Sequence, residues 1–208
     1  MTVSTVPTRI ALVLVHPRKR SFTATMAGAF AQAAREAGAE VEVRDLYRLR
    51  FDPRLRASEM PDHPGFRPRA DVLAEREAIG KADVFAFFYP LWFNGPPAML
   101  KGYVERVFGL GFGYSPIRRG GNQPMLAGRR LAAFTSSGAP QDWVESSGAW
   151  TALRENFDNH LAAMTGLELI GHHNFGDVGA GLSRKRIDAC AAEVGEQARR
   201  IVSMCAAG

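Results

Sequence analysis

Three short stretches of this chain carry side chains that could hold a ligand. The first is His16-Pro17-Arg18-Lys19-Arg20-Ser21-Phe22-Thr23. It joins an apolar run to a segment of helical composition, so backbone N–H groups at a helix start, two hydroxyls and three cationic side chains converge there. A phosphate suits that donor set. Simple helix capping beside a charged surface suits it equally, and the local residues leave both readings open. Neither G-x-G-x-x-G nor G-K-[ST] occurs, which sets the stretch apart from dinucleotide and nucleotide-triphosphate loops.

The second stretch is Tyr89-Pro90-Leu91-Trp92-Phe93-Asn94-Gly95-Pro96-Pro97. Large apolar side chains at the exposed end of a buried strand are costly unless something flat covers them, and the prolines stiffen the backbone. An aromatic ring system is a natural cover; the alternative is that Trp92 and Phe93 cap the core or a subunit boundary. The third, Thr135-Ser136-Ser137-Gly138-Ala139-Pro140, is built of small residues that allow close backbone approach. Other chemistries fit less well. His172 and His173 are neighbours on a strand and must face opposite ways, and no cysteine or carboxylate stands at ligand spacing with His160, so no metal site is expected. Ser136-Ser137-Gly138 lacks the G-x-S-x-G elbow of serine hydrolases.

The elements that must position these stretches follow from hydropathy. Ile10 to Val15 is a short apolar run of the kind buried on both faces of a sheet, and Thr25 to Ala37 reads as a helix closed by Gly38. Glu40 to Leu46 alternates as a more exposed strand. Arg69 to Lys81 reads as a helix, Val84 to Tyr89 as a second buried strand, and Ala98 to Phe108 as a helix opened by Pro97. After an irregular Gly-rich stretch, Gly109 to Gly128, come a strand at Arg130 to Thr135, a helix at Ala149 to Met164, a strand at Glu168 to Phe175 and a helix at Ser183 to Ala206. Five strands alternating with five helices predict an α/β fold: a parallel sheet with helices on both faces, in the common order 2-1-3-4-5. Ligands bind such folds beyond the carboxyl ends of the strands, which is where all three stretches fall. Asp52 to Pro68, with its prolines, is expected to be a long surface loop.

Composition narrows the setting. A chain of 208 residues with 46% apolar residues supports one domain, 1–208, with Met1 to Thr8 as a frayed polar leader. The longest uncharged apolar run, Val84 to Phe93, is about half the roughly twenty residues that a membrane helix needs, so no membrane span and a cytoplasmic location are expected. Cys190 and Cys205 fall on one helix about 22 Å apart, which excludes a bond between them. The 26 basic against 21 acidic residues leave a charge of +5, but the arginines are scattered, and no nucleic-acid face is expected.

One family carries the same set of residues. His16-x-x-x-x-Ser21-Phe22-Thr23, Asp45-Leu46-Tyr47 with Phe51-Asp52-Pro53, Tyr89-Pro90-Leu91-Trp92 through Leu100-Lys101-Gly102-Tyr103, and Glu105-Arg106-Val107-Phe108 resemble the NAD(P)H:quinone oxidoreductases, the DT-diaphorase-like branch of flavodoxin-like proteins. The resemblance runs from about Arg9 to Phe175. It implies a flavodoxin-like three-layer sandwich and a flavoenzyme that moves hydride from NADH or NADPH through flavin N5 to a quinone-like acceptor in a ping-pong cycle. His16, Arg18, Arg20, Ser21, Phe22 and Thr23 would hold the flavin phosphate. Pro90, Leu91, Trp92, Phe93 and Asn94 would line its ring, and Thr135, Ser136, Ser137 and Gly138 its pyrimidine edge, with N–H donors from Ser137 and Gly138. Phe112, Tyr114 and Trp143 would wall the substrate pocket.

FAD is expected, with FMN as the alternative, and the working unit would be a homodimer with active sites at the subunit boundary. The chain departs from its mammalian-type relatives in one respect. A tyrosine and a histidine thought to assist hydride transfer there are replaced, in a gap-free alignment, by Trp143 and Ala149, so that polar relay is not expected. Two rivals share the motifs: a flavin-binding regulatory subunit of a potassium efflux system, and a one-electron carrier of the flavodoxin type. The carrier would usually be acidic, unlike this chain.

Overall fold

The computed structural model describes residues 6–116 and 121–206. Strands β1 (Arg9–Leu14), β2 (Glu40–Asp45), β3 (Val84–Pro90), β6 (Arg130–Ser136) and β7 (Glu168–Phe175) form one parallel sheet in the order β2-β1-β3-β6-β7. That is the expected 2-1-3-4-5 winding, which reverses between β1 and β3. β3 is buried along its whole length, VFAFFYP, because the sheet is covered on both faces. Phe85, Phe87 and Tyr89 face α2 (Ala70–Ile79) and α3 (Ala98–Val107), while Val84, Ala86 and Phe88 face α1 (Phe22–Glu36) and α7 (Arg184–Ala206). On the second face Phe88 stacks on Phe134 at 4.6 Å, with Phe30 edge-on to both.

α1 starts three residues earlier than its composition predicts. Ser21 is its N-cap, with extended backbone (φ −134°), and its hydroxyl accepts from the Ala24 N–H at 3.1 Å. Gly38, at φ +92°, closes the helix as expected. Residues 1–5 of the expected frayed leader lie outside the described residues; Thr8, its last member, is buried, and its carbonyl accepts from the Glu40 N–H at 2.9 Å.

Two expectations need correction, and one helix carries a π turn. The stretch from Gly109 to Gly128 is not wholly irregular, since β4 (Tyr114–Pro116) and β5 (Asn122–Pro124) pair as an antiparallel ribbon, strands too short to show a period. The expected helix from Ala149 to Met164 is present and runs unbroken to Thr165, as α5 (Ala149–Leu153), a π-helical turn (Arg154–Asn159) and α6 (His160–Thr165), and a short helix that the pattern did not indicate, α4 (Gln141–Ser146), precedes it. The Asp52 to Pro68 loop is not simply superficial. Its 3-10 turn (Ala57–Glu59) buries Glu59 against the guanidinium of Arg106, which also meets Asp71 at 2.7 Å. The loop lies so close to α3 that a Cβ on Gly102 would come within 2.0 Å of the Pro53 carbonyl oxygen.

β6 and β7 are joined through a register shift: Leu131 faces Leu169, but Ala132 faces Gly171, leaving Ile170 as the extra residue of a bulge. Beyond it Thr135 pairs with Asn174, and Ala133 with His172, on one face of the sheet. Cys190 and Cys205 are free thiols on α7.

Candidate flavin crevice

A crevice of about 680 Å³ opens beyond the carboxyl ends of β1, β3 and β6. Its floor and walls come from all three stretches: His16, Arg18, Arg20, Ser21, Phe22 and Thr23 after β1, Pro90, Leu91 and Trp92 after β3, and Ser136, Ser137 and Gly138 after β6. A fourth wall, Val178 to Leu182, follows β7 and was not anticipated. Its signal is the run Gly176-Asp177-Val178-Gly179-Ala180-Gly181, small residues after a strand. Gly176 has a structural reason, since a Cβ there would meet the Gln141 nitrogen at 2.5 Å.

The β1 end has the chemistry of an anion cradle. Ser21 serves the helix as its cap, and the first N–H groups of α1 lack intrahelical acceptors, as at any α-helix start. His16 Nδ1 accepts from the Arg18 N–H at 3.0 Å, so in the neutral ring the hydrogen is on Nε2. Burial pulls the His16 pKa below its ordinary value. Arg18, Lys19 and Arg20 are exposed and contribute positive potential.

After β3 the backbone closes a two-residue turn. Trp92 N–H donates to the Gly95 carbonyl at 3.2 Å, and Gly95 N–H to the Trp92 carbonyl at 3.1 Å. Its two central residues, Phe93 (φ +51°) and Asn94 (φ +54°), take the left-handed conformation such hairpin turns demand. Phenylalanine is ill suited to it, so the tip is strained. Pro90, Leu91 and Trp92 line the crevice, and the Trp92 ring lies 6.1 Å from that of His16. Phe93 and Asn94 do not: the turn carries them past the rim, with the Phe93 side chain fully exposed.

The β6 loop is laced to the end of β7. Ser137 N–H donates to the Phe175 carbonyl at 2.9 Å, and Val178 N–H to the Ser137 carbonyl at 2.9 Å. The expected Ser137 N–H donor is therefore spent within the protein, which leaves that of Gly138. Thr135 is buried with its hydroxyl turned away from the crevice, toward His172 and Asn174. His172 and His173 do face opposite sides, His172 beside Tyr89 and Trp150, His173 stacked on Phe134. The three expected substrate-pocket residues do not converge on the crevice. Phe112 packs edge-on against Phe108 at 5.6 Å, Tyr114 lines a separate groove with Leu110 and Leu161, and Trp143 is half exposed on α4. The cause is the β4–β5 ribbon, which hydrogen bonds between Met125 and Gly113 and between Leu126 and Thr165 hold against α6.

A helix start with cationic side chains beside it, an apolar wall and the small-residue loop after β6 thus share one crevice at the winding reversal. The family model for the flavodoxin-like fold matches residues 8–198. This chain belongs to the flavodoxin-like NAD(P)H:quinone oxidoreductase family. A relative from Haemophilus influenzae, named an NAD(P)H oxidoreductase, is 32% identical over 169 residues, 80% of this chain and 83% of the relative. NAD(P)H dehydrogenase [quinone] 1 of Cavia porcellus is 30% identical over 148 residues, and the match spans 63% of this chain but only 54% of that protein. Among solved structures, an NAD(P)H:quinone oxidoreductase from Methanothermobacter marburgensis superposes with a TM-score of 0.79 at 28% identity, covering 95% of this chain and 98% of that one. Among the described residues no helix is long and apolar enough to cross a membrane.

Proposed function

We propose that this oxidoreductase holds a flavin, FAD rather than FMN, in the crevice and moves two electrons from NADH or NADPH to a quinone-like acceptor. The observation that carries the reading is the convergence of the α1 N-terminus, the Pro90 to Trp92 wall and the Gly138 N–H on one space. The names of the relatives agree with its oxidoreductase and quinone parts. When bound, the flavin would supply a ring able to accept hydride from a nicotinamide and to reduce an acceptor that takes its place.

The chain's own residues bind and orient. His16 Nε2–H and the α1 N–H groups take the phosphate, with Arg18 and Arg20 as positive rim. Leu91 and Trp92 present an apolar face to the ring, held in place by the Trp92 to Gly95 turn. Gly138 N–H donates to the ring edge, where negative charge grows on reduction. FAD is preferred on the likeness of the loops to the FAD-binding side of the family. The working unit is a homodimer: Trp92, Phe93 and Trp143 expose large aromatic surface on segments continuous with the crevice, and a second copy would cover it.

Purified protein should be yellow and should oxidise NADH or NADPH when a benzoquinone or naphthoquinone is present. Chromatography of the released cofactor separates FAD from FMN, and sedimentation at micromolar concentration reads the oligomer. A colourless chain that neither flavin reconstitutes defeats the proposal; a yellow chain that neither NADH nor NADPH can reduce points instead to an electron carrier.

A further inference from the structure

A continuous chain of hydrogen bonds runs beneath the β6 loop. Asp158, on the π-helical turn, meets His172 Nδ1 at 2.5 Å, with side chains 1% and 0% exposed respectively. His172 Nε2 lies 2.9 Å from Thr135 Oγ1, which in turn lies 2.9 Å from Asn174 Oδ1. Asn174 Nδ2 donates to Gln141 Oε1 at 2.7 Å and to Ser137 Oγ at 3.2 Å, and Gln141 Nε2 donates to Glu145 Oε1 at 2.6 Å. Pleat, bulge and π turn together build this contact set, since Thr135, His172 and Asn174 share one sheet face only past the Ile170 bulge.

The direction of every bond follows from its surface end. The ionised carboxylate of Glu145 can only accept, so Gln141 must turn its amide nitrogen outward and its oxygen toward Asn174. Asn174 then gives its nitrogen to Gln141 and turns its oxygen to Thr135. Two acceptors do not face each other at 2.9 Å, so the single Thr135 hydroxyl hydrogen goes to Asn174. Thr135 Oγ1 must therefore accept, and the hydrogen it accepts is on His172 Nε2. The 2.5 Å contact on the other side of the ring needs a hydrogen as well. A carboxylate only accepts, so that second hydrogen is donated by Nδ1.

We infer that His172 is a doubly protonated, fully buried imidazolium paired with Asp158, and that it is a positioning residue for the crevice loop. Through Thr135 it anchors Asn174 Oδ1 from below, while Gln141 holds the amide nitrogen from above, and that fixed amide makes Ser137 Oγ an acceptor. The Ser137 hydroxyl then donates to the Ala139 carbonyl at 3.0 Å rather than into the crevice. With the Ser137 N–H also spent, of the two expected edge donors only the Gly138 N–H is left for the ligand. The ion pair is neutral as a unit, which is what lets it remain dry beneath the site. The part of this inference that concerns the ligand rests on the flavin reading; the protonation of His172 does not.

Nitrogen NMR of ¹⁵N-histidine-labelled full-length protein, with whatever cofactor it retains, tests the first part at neutral pH. His172 should show two protonated ring nitrogens, and in Asp158→Asn it should become neutral with hydrogen on Nε2 alone. A neutral His172 in the unaltered protein overturns the inference, whether or not flavin is present. For the second part, Thr135→Val cuts the chain with little change of volume, and flavin should leave it at least tenfold faster with an altered midpoint potential. Thr135→Ser should restore both. Wild-type release and potential in folded Thr135→Val refute the positioning role, and the NMR arm decides the protonation even if that variant does not fold.

Discussion

Ser21 has two tasks in this account, capping α1 and bordering a phosphate, and replacing it by aspartate separates them. Aspartate is as good an N-cap as serine, so the hydrogen bond to the Ala24 N–H survives and the fold should keep its stability. Its charge, however, would border any phosphate held by the α1 N–H groups, at a separation on the order of 4 Å. Two unit charges at that distance, at an effective dielectric constant of about 20, repel by about 4 kcal/mol, and about 1.4 kcal/mol is a factor of ten. Flavin affinity should therefore fall by roughly two to three orders of magnitude at low ionic strength, and by less in salt. Ser21→Ala should do the opposite. It keeps the charge balance but loses the cap, costing about 1 kcal/mol, or about 2–4 °C in Tm for a chain of this size. Fluorescence titration of apoprotein with flavin, with thermal unfolding in parallel, reads both quantities. Flavin bound to Ser21→Asp as tightly as to the parent would show that the anion cradle is only a helix cap.

Arg106→Leu removes the partner of Glu59, whose side chain is 4% exposed, and should destabilise the protein by about 3–5 kcal/mol in denaturant titration; Arg106→Lys should not rescue it, because one ammonium cannot replace the fork that holds Glu59 and Asp71. Phe93→Asn combined with Asn94→Gly relieves the two left-handed residues and, in protein diluted until sedimentation shows the monomer, where Phe93 packs on nothing, should stabilise the fold by about 1 kcal/mol; a lower Tm under those conditions would contradict the strain assigned to this turn. Burial pulls the His173 pKa down, so the unfolded chain binds the proton more readily. Stability from this group is full above about pH 6.5, falls as pH drops toward the lowered value and then levels off, and His173→Phe should flatten that part of the pH–stability curve.

Much of this protein is legible from local pattern. IALVLV and VFAFFY are too short and too apolar to be anything but strands buried on both faces, and with the intervening helices they dictate a doubly wound sheet. The winding reversal then puts the His16, Pro90 and Ser136 loops at one end, and all three border the crevice. Where residues act through the backbone of their own loop, as Ser21 does in capping α1, sequence is enough. Within one copy of the chain Phe112, Tyr114 and Trp143 are not brought to the crevice: Phe112 packs on Phe108 and Tyr114 borders a separate groove beside the β4–β5 ribbon. Local pattern is not enough where contact depends on register between distant strands. Reading His172 and His173 as opposed neighbours was correct, yet nothing local reveals that one of them meets Asp158. That meeting needs an extra residue in β7, which flips every later side chain to the other face, and a π turn that places Asp158 beneath it. Periodicity sets which residues lie inside, while the pairing of side chains across the sheet is decided by a one-residue register shift that only tertiary packing can select.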